Sequence, residues 1–294
     1  MIHNKMKITC SIVIPIFNEE AAVVKTVQDI HSIMHKNNIF FEIILVEDGS
    51  TDDSAAKIQN YIENKYDNIG VVYHDRNLGY GAALKSGFKI SKYDHIVITD
   101  ADATYPNDDI PKLLNYIKDY DMVVGARIGK NVKIPLIRKP AKWFINKLAN
   151  YLTNYKIPDL NSGLRVMKKS LIEKFLNYLP NGFSLTSTIT LALLTNSYTI
   201  KYVPIDYMTR KGKSKIKPIQ DTLNFIQLII RTVMYFNPLK IFLPFSLIFI
   251  LPGVAFLIRD LISFNIAQTS VLLLITGAII LAIGMLADLI NKRL

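Results

Sequence analysis

Short apolar runs alternate with stretches of helical spacing through the first half of the chain. Ile8 to Pro15, Phe40 to Val46, Gly70 to His74, His95 to Thr99 and Met122 to Gly125 form the apolar runs. Near-continuous apolar runs of this length predict strands covered on both faces of a sheet. Helical spacing fills the intervals, at about Glu19 to His35, Asp52 to Asn64, Gly81 to Ile90 and Asp108 to Lys118. This alternation predicts an α/β domain with a Rossmann-like, mostly parallel sheet. In such sheets ligands bind beyond the carboxyl ends of the strands. The polar clusters Asn18-Glu19, Glu47-Asp48 and Asp100-Ala101-Asp102 fall at those ends.

The second half changes character. Asn131 to Pro140 is basic, contains Pro135 and Pro140, and reads as a loop, followed by a helix from about Ala141 to Tyr155. Pro218 to Phe236 has an apolar face and few charges, as expected of a helix lying along a membrane surface. Ile241 to Ile258 carries no charge although Pro244 and Pro252 interrupt it, and Ile266 to Ala287 is a cleaner uncharged run. Each approaches the roughly 20 residues that a helix needs to cross the hydrocarbon core. The link Arg259 to Asn265 is short, so the two would form a hairpin; the rival reading is a pair of buried core helices. The expected organisation is a catalytic domain over 1–217, an amphipathic juxtamembrane segment over 218–240, a hairpin over 241–290 and a tail over 291–294.

Charge sharpens the orientation. The formal net charge is +11, and Lys201, Arg210, Lys211, Lys213, Lys215 and Lys217 crowd just ahead of the apolar region. Basic residues beside a span favour the cytosolic side and attract anionic headgroups. Lys292 and Arg293 follow the hairpin, whereas its link is poor in Lys and Arg, so both ends are expected in the cytosol and the protein in the cell (inner) membrane. No zinc-finger, RNA-binding or recognition-helix pattern accompanies the charge, which argues against nucleic acid as partner. Cys10 is the sole cysteine, which excludes an intrachain disulfide. The N-terminus does not read as a leader: Ile8 to Ile16 is short, contains Pro15 and runs into Asn18, Glu19 and Glu20.

The sharpest chemical feature is Thr99-Asp100-Ala101-Asp102, directly after an apolar strand. Two carboxylates one residue apart at a strand end can point toward one hard cation, Mg2+ or Mn2+. Such a cation would neutralise a diphosphate leaving group. Glu47-Asp48-Gly49-Ser50-Thr51-Asp52 also follows a strand, with Gly49 permitting a tight turn and Ser50, Thr51 or Asp52 able to cap the next helix. Capping leaves the carboxylate pair before the turn unexplained; a carboxylate there can accept from a base N–H or a ribose hydroxyl. In Pro15-Ile16-Phe17-Asn18-Glu19-Glu20, Asn18 fits an N-cap, and Phe17 equally fits a position beside a nucleobase.

Taken in order, these segments resemble family 2 glycosyltransferases of the GT-A fold, and within them the polyprenyl-phosphate sugar transferases, such as dolichyl-phosphate mannose synthases and bactoprenol glucosyltransferases. The resemblance runs over nearly the whole chain. It is carried by Ile14 to Glu20, Glu47 to Asp52, Asn77-Leu78-Gly79-Tyr80-Gly81-Ala82-Ala83, Asp100-Ala101-Asp102, Asp159-Leu160-Asn161-Ser162-Gly163-Leu164-Arg165 and Arg210 to Lys215. It implies that Pro15, Phe17, Glu19 and Asp48 hold the nucleoside. Asp100, Ala101 and Asp102 would hold the donor diphosphate, with Asp100 and Asp102 binding the metal and Arg210 contacting the diphosphate. Thr104 stands where a relative has a metal-contacting glutamine. Arg127, Arg138, Ser162 and Arg165 would bind the acceptor phosphate; guanidinium forks match phosphate oxygens. Asp159 matches a catalytic-base position, with Asp102 as the other catalytic residue. A phosphate monoester is already mostly dianionic near neutral pH, however, so Asp159 has an alternative role in orienting the acceptor or an arginine. Glu47-Asp48 replaces the usual Asp-Asp, and the Gln-x-x-Arg-Trp motif of processive synthases is absent, Trp143 being the only tryptophan.

The expected function is metal-dependent, inverting transfer of a sugar from a UDP- or GDP-sugar to a polyprenyl phosphate at the cytosolic membrane face. Some members of this group are tetramers, so a homo-oligomer is a further expectation. The alternatives are transfer to another membrane lipid and a non-catalytic membrane protein that binds nucleotide-sugar.

Overall fold

The structure, a computed structural model, describes residues 8–63, 65–128, 147–207 and 218–293, without the side chains of 218–225 and 291–293. The loop expected over Asn131 to Pro140, the helix start expected at Ala141, Arg138 and the run Arg210 to Lys217 lie outside the described residues.

The five expected strands form as β1 (Thr9–Ile16), β2 (Phe40–Glu47), β3 (Ile69–Tyr73), β4 (His95–Ile98) and β5 (Met122–Ala126). The expected helices appear as α1 (Val23–Lys36), α2 (Ser54–Ile58, continued by a π-helical turn over Gln59–Glu63), α3 (Tyr80–Ile90) and α4 (Ile110–Tyr116). Among the described residues, α5 covers 147–153. Sequence periodicity missed β6 (Arg165–Lys168), α6 (Lys169–Phe175), α7 (Leu185–Thr195) and β7 (Ile200–Pro204). The described strands make one sheet in the order β3-β2-β1-β4-β6-β5-β7. All neighbouring pairs run parallel except those of β6, which is antiparallel to both β4 and β5.

Alternation along each strand divides the apolar core between the two faces. Val13, Ile44, Val46, Ile96 and Ile98 face α3, α6 and α7. Cys10, Ile12, Ile14, Ile43, Leu45 and Val97 face α1 and α4. Helix α1 supplies Val23, Val27, Ile30 and Met34 at helical spacing. Register fixes the functional end: Ile16 pairs with Glu47, and Val13 with Ile98. The chain therefore leaves β1, β2 and β4 side by side at one edge, as Phe17, Asp48 and Asp100.

Helix α1 starts at Val23 rather than near Glu19. Asn18 sits at φ 57°, and the backbone N–H groups of Asn18, Glu19 and Glu20 donate to Ser50, Ser54 and Asp52 instead of entering a helix.

The segment Pro218–Phe236 forms helix α8. Its Ile229 and Val233 are buried in the core that contains α7. The hairpin is α9 (Leu239–Ile262) and α10 (Gln268–Arg293), longer than the runs 241–258 and 266–287 because helix continues through Pro244, Pro252 and the charged ends. Only 11% and 17% of the most apolar windows of the two helices are buried, which excludes the core-helix reading and leaves surfaces suited to lipid. Asp260 closes the turn: its carboxylate accepts from Ala267 N at 2.9 Å and Ser270 Oγ at 2.6 Å, satisfying donors at the start of α10.

Cys10 is fully buried in β1. Burial, with the Glu42 charge adding to it, pushes its thiol up to about 12. The native protein should therefore resist alkylation by iodoacetamide at pH 8 and take up one label on denaturation, read by mass spectrometry. Rapid labelling of the folded chain would contradict this packing.

Candidate active site

The loops after β1 and β2 are laced to each other. Asn18 N donates to Ser50 Oγ at 3.0 Å, and Thr51 N returns to Asn18 Oδ1 at 2.8 Å. Glu20 N donates to Asp52 Oδ2 at 3.1 Å, and Asp53 N to Glu20 at 3.1 Å. Glu47 is buried and accepts from Gly49 N and Ser50 N at 3.2 and 2.6 Å, so it closes its own turn. Gly49 adopts φ +67°, and a Cβ there would collide with the backbone at Arg76 and Asn77; only glycine fits.

Asp48, expected to hold the nucleoside, lies beneath the surface. It is 2% exposed. Its carboxylate lies 2.6 Å from His74 Nδ1 and accepts from Leu78 N and Gly79 N at 3.0 and 2.9 Å. Asp48 thus holds the loop ahead of α3 from inside. Pro15, Phe17 and Glu19 stay half-buried at the end of β1, where they can line a nucleoside site.

The Asp100 to Asp102 segment is fixed at several points. Thr26 Oγ1 donates to Ala101 O at 3.1 Å, and the buried Ala101 presents main chain rather than a side chain. Tyr80 Oη donates to Asp100 Oδ1 at 3.1 Å. Burial and the Asp100 charge keep that phenol protonated, well above its ordinary range. Thr104 donates from both N and Oγ1 to Asp102 Oδ1, at 3.1 and 2.6 Å, so it orients the second carboxylate. Ala103 takes φ 56°, the turn that brings Thr104 back under Asp102. Gly163 abuts Asp100: a Cβ would lie 2.8 Å from Oδ2. Tyr105 accepts from Gly163 N at 2.6 Å and feels the charges of both Asp100 and Arg127.

Arg127, at the end of β5, is gripped by Asp159. Its Nε and Nη2 donate to the two Asp159 oxygens at 2.7 and 2.9 Å, and its backbone N adds 3.0 Å. Asp159 is 3% exposed, whereas the arginine side chain keeps 25% of its surface and packs its guanidinium over Tyr207. Asp159 therefore sits behind Arg127. Ser162 and Arg165 depart from the acceptor-phosphate expectation. Both are fully buried. Ser162 Oγ donates to Gly125 O. Arg165 donates to Ser162 O, Thr186 O and Thr190 Oγ1, pinning β6 to α7. Arg138 and Arg210 lie outside the described residues. The sequence reading missed the tyrosine framework of Tyr80, Tyr105 and Tyr207; Tyr80 sits inside the Asn77 to Ala83 motif, but nothing in its identity reveals the bond to Asp100.

Among the described residues, no group of three or more His, Cys, Asp or Glu side chains converges on a metal position. Two anchored carboxylates one residue apart are a partial oxygen set, which fits a hard cation that shares its shell with a ligand's phosphate oxygens and water.

A mostly parallel sheet with an Asp-x-Asp at the end of its fourth strand defines a GT-A-like fold, joined here to a C-terminal apolar hairpin. The chain belongs to glycosyl transferase family 2, whose family model matches residues 11–176; a second model, the GtrB C-terminal hairpin, matches 237–292. Relatives include an undecaprenyl-phosphate 4-deoxy-4-formamido-L-arabinose transferase of Sodalis glossinidius, 33% identical over 57% of this chain and 51% of that protein. The same-named protein of Pseudomonas savastanoi is 30% identical over 84% of this chain and 71% of its own length. A dodecaprenyl-phosphate galacturonate synthase of Rhizobium johnstonii is 32% identical over 56% of this chain and 49% of that protein. The chain spans about half the length of most of the curated relatives it matches. Among solved structures, glucosyl-3-phosphoglycerate synthase from Mycobacterium tuberculosis with UDP superposes at TM-score 0.58 and 18% identity, over 76% of this chain and 80% of that one. Mannosyl-3-phosphoglycerate synthase from Rubrobacter xylanophilus gives 0.58 and 17%, over 76% and 72%. At these identities the superpositions establish the fold.

Arg165→Ala should cost about 3 kcal/mol of stability, because it opens a cavity and orphans buried acceptors. Urea denaturation of the detergent-solubilised protein measures this; an unchanged midpoint would return Arg165 to the surface.

Proposed function

We propose that this chain transfers a sugar from a nucleotide-sugar to a polyprenyl phosphate at the cytosolic face of a membrane, with inversion at the anomeric carbon. The observation that carries the reading is the placing of two anchored carboxylates, Asp100 and Asp102, at the same sheet edge as a partly exposed Arg127 backed by a buried Asp159. The first pair suits a metal-bound diphosphate, and the arginine suits a phosphate monoester. The lipid-facing hairpin supplies the reason for a lipid acceptor.

The donor's nucleoside would lie against Pro15, Phe17 and Glu19. Asp100 and Asp102 would hold Mg2+ or Mn2+ with the donor diphosphate, and the cation would offset the charge that builds on the leaving group. Support for this donor and cation comes from the M. tuberculosis synthase, crystallised with Mn2+ and UDP-glucose. Tyr80 and Thr104 set the two carboxylates, which lowers the reorganisation needed when charge shifts. Support for the acceptor comes from the names of the relatives, which specify undecaprenyl and dodecaprenyl phosphates.

Arg127 would take the acceptor phosphate and aim one oxygen at the anomeric carbon. That oxygen forms the new C–O bond as the bond to the nucleoside diphosphate breaks. The attacking oxygen carries no proton at neutral pH, since the second phosphate pKa is near ~6. Asp159 therefore has no proton to remove. It positions Arg127 by a bidentate ion pair. The hairpin and α8 keep this site beside the lipid headgroups, while the basic run before α8 holds the domain on the cytosolic side.

A screen of UDP- and GDP-sugars against undecaprenyl phosphate, diacylglycerol and a sphingoid lipid, read by mass spectrometry, tests the function. A prenyl-phosphate-linked sugar is the expected product, and a sugar on either other lipid would replace this reading. Asp159→Asn should raise the acceptor KM by about tenfold or more and change kcat much less. A fall confined to kcat, with loss of the acidic limb of the pH profile, would make Asp159 a base instead.

A further inference from the structure

The segment between α6 and α7 carries two exposed aromatic residues, Tyr178 and Phe183, that the reaction scheme leaves unused. Phe183 is 83% exposed, yet its ring stacks on Tyr80 at 5.5 Å between centroids and 14° between planes. Tyr80 is the residue whose hydroxyl holds Asp100. Five residues earlier, Tyr178 packs against Tyr235 and Phe236 at the end of α8, at centroid distances of 4.6 and 6.1 Å. Those two residues lie just before α9 enters its apolar span at Leu239, where aromatic rings favour the headgroup level. Tyr178 and Tyr235 are themselves more than one third exposed.

The segment is held in place. Ala82 N donates to Asn181 O at 3.0 Å, and Lys85 Nζ donates to Asn181 Oδ1 at 2.9 Å and to Leu179 O. A Cβ on Gly79 would come within 2.7 Å of Asn181 O, so α3 and this segment meet backbone to backbone. Leaving a phenylalanine ring in water on a fixed loop sacrifices burial that folding alone would favour. Five residues of chain span at most about 17 Å, so the aromatic belt and the Asp100 site are a short prenyl segment apart.

We propose that Phe183, with Tyr178, is the track on which the first prenyl units of the acceptor lie between the bilayer and Arg127, so that Phe183 is an acceptor-positioning residue. This rests on the proposed function. One exposed aromatic group thus lies beside the end of α8 and the other on the Tyr80 ring that holds Asp100. A flexible isoprenoid fits such a strip; a soluble sugar-phosphate acceptor would leave it idle.

The test uses the full chain in nanodiscs with its donor sugar, comparing undecaprenyl phosphate with a two-prenyl phosphate. Phe183→Ala should raise KM for the long acceptor roughly tenfold, the loss expected when about two methylene contacts disappear. The two-prenyl acceptor carries the units that lie on Phe183 and should lose about as much, while donor KM should stay as in the wild type. Phe183→Leu should recover most of the loss, and Tyr178→Ala should add to it for the long acceptor alone. Unchanged acceptor KM overturns the proposal. A rise in donor KM instead would place the ring against the donor sugar and overturn it too, as would a changed oligomeric state, which would make the strip a contact between copies. If the wild type uses no prenyl phosphate at all, the proposed function itself fails, a result distinct from wild-type turnover that ignores Phe183.

Discussion

Acidic loops from adjacent parallel strands can share one sheet edge only if each negative charge is met by a donor. That constraint organises this molecule. Glu47 is met by the N–H groups of its own turn, Asp48 by His74 and the loop before α3, and Asp52 by the loop after β1. Asp100 accepts from the Tyr80 hydroxyl, and Asp102 from the N–H and hydroxyl of Thr104. The edge thus holds acids that build walls beside the pair that we propose faces a ligand. Buried carboxylates that accept several N–H bonds are costly to disturb, so the walls are rigid, and the ligand-facing pair inherits that rigidity through α3 and the Thr104 turn.

The same division recurs among the arginines. Arg165 is spent on carbonyls and a threonine inside the core, tying the antiparallel strand β6 to α7. Arg127 is held from behind by Asp159 and keeps an open face. One arginine therefore fixes the strand that follows Gly163, and the other is the one proposed to meet an incoming anion. The hairpin adds a third constraint. Its two helices are long and apolar enough to cross a membrane, and α8, packed on α7, joins them to the sheet.

Much of this was legible in sequence. Strands covered on both faces leave apolar runs, so β1 to β5 and their helices were readable, and the uncharged stretches exposed the hairpin. Strand β6 was not, because Arg165 and Lys168 break its apolar run, and β7 is interrupted by Lys201. Helix α7 is buried nearly all round, with Thr186, Ser187, Thr188 and Thr190 among its covered residues, so it has no polar face to mark it. Motifs located the acidic loops but gave no direction to their side chains. Asp48 points inward because its neighbours' backbone donors lie there, and Arg165 because Ser162 and Thr186 turn their carbonyls toward it; both facts depend on contacts between residues far apart in the chain. Phe183 carried no motif.

The central claim is that Asp100 and Asp102 bind a divalent cation jointly with a nucleoside diphosphate. Electron paramagnetic resonance of Mn2+ titrated into the detergent-solubilised chain, with and without UDP or GDP, tests it directly. The account predicts one saturable Mn2+ site that tightens with the diphosphate and disappears in Asp102→Asn while the fold persists. Equal Mn2+ binding by the variant, or no coupling to either diphosphate, would contradict it.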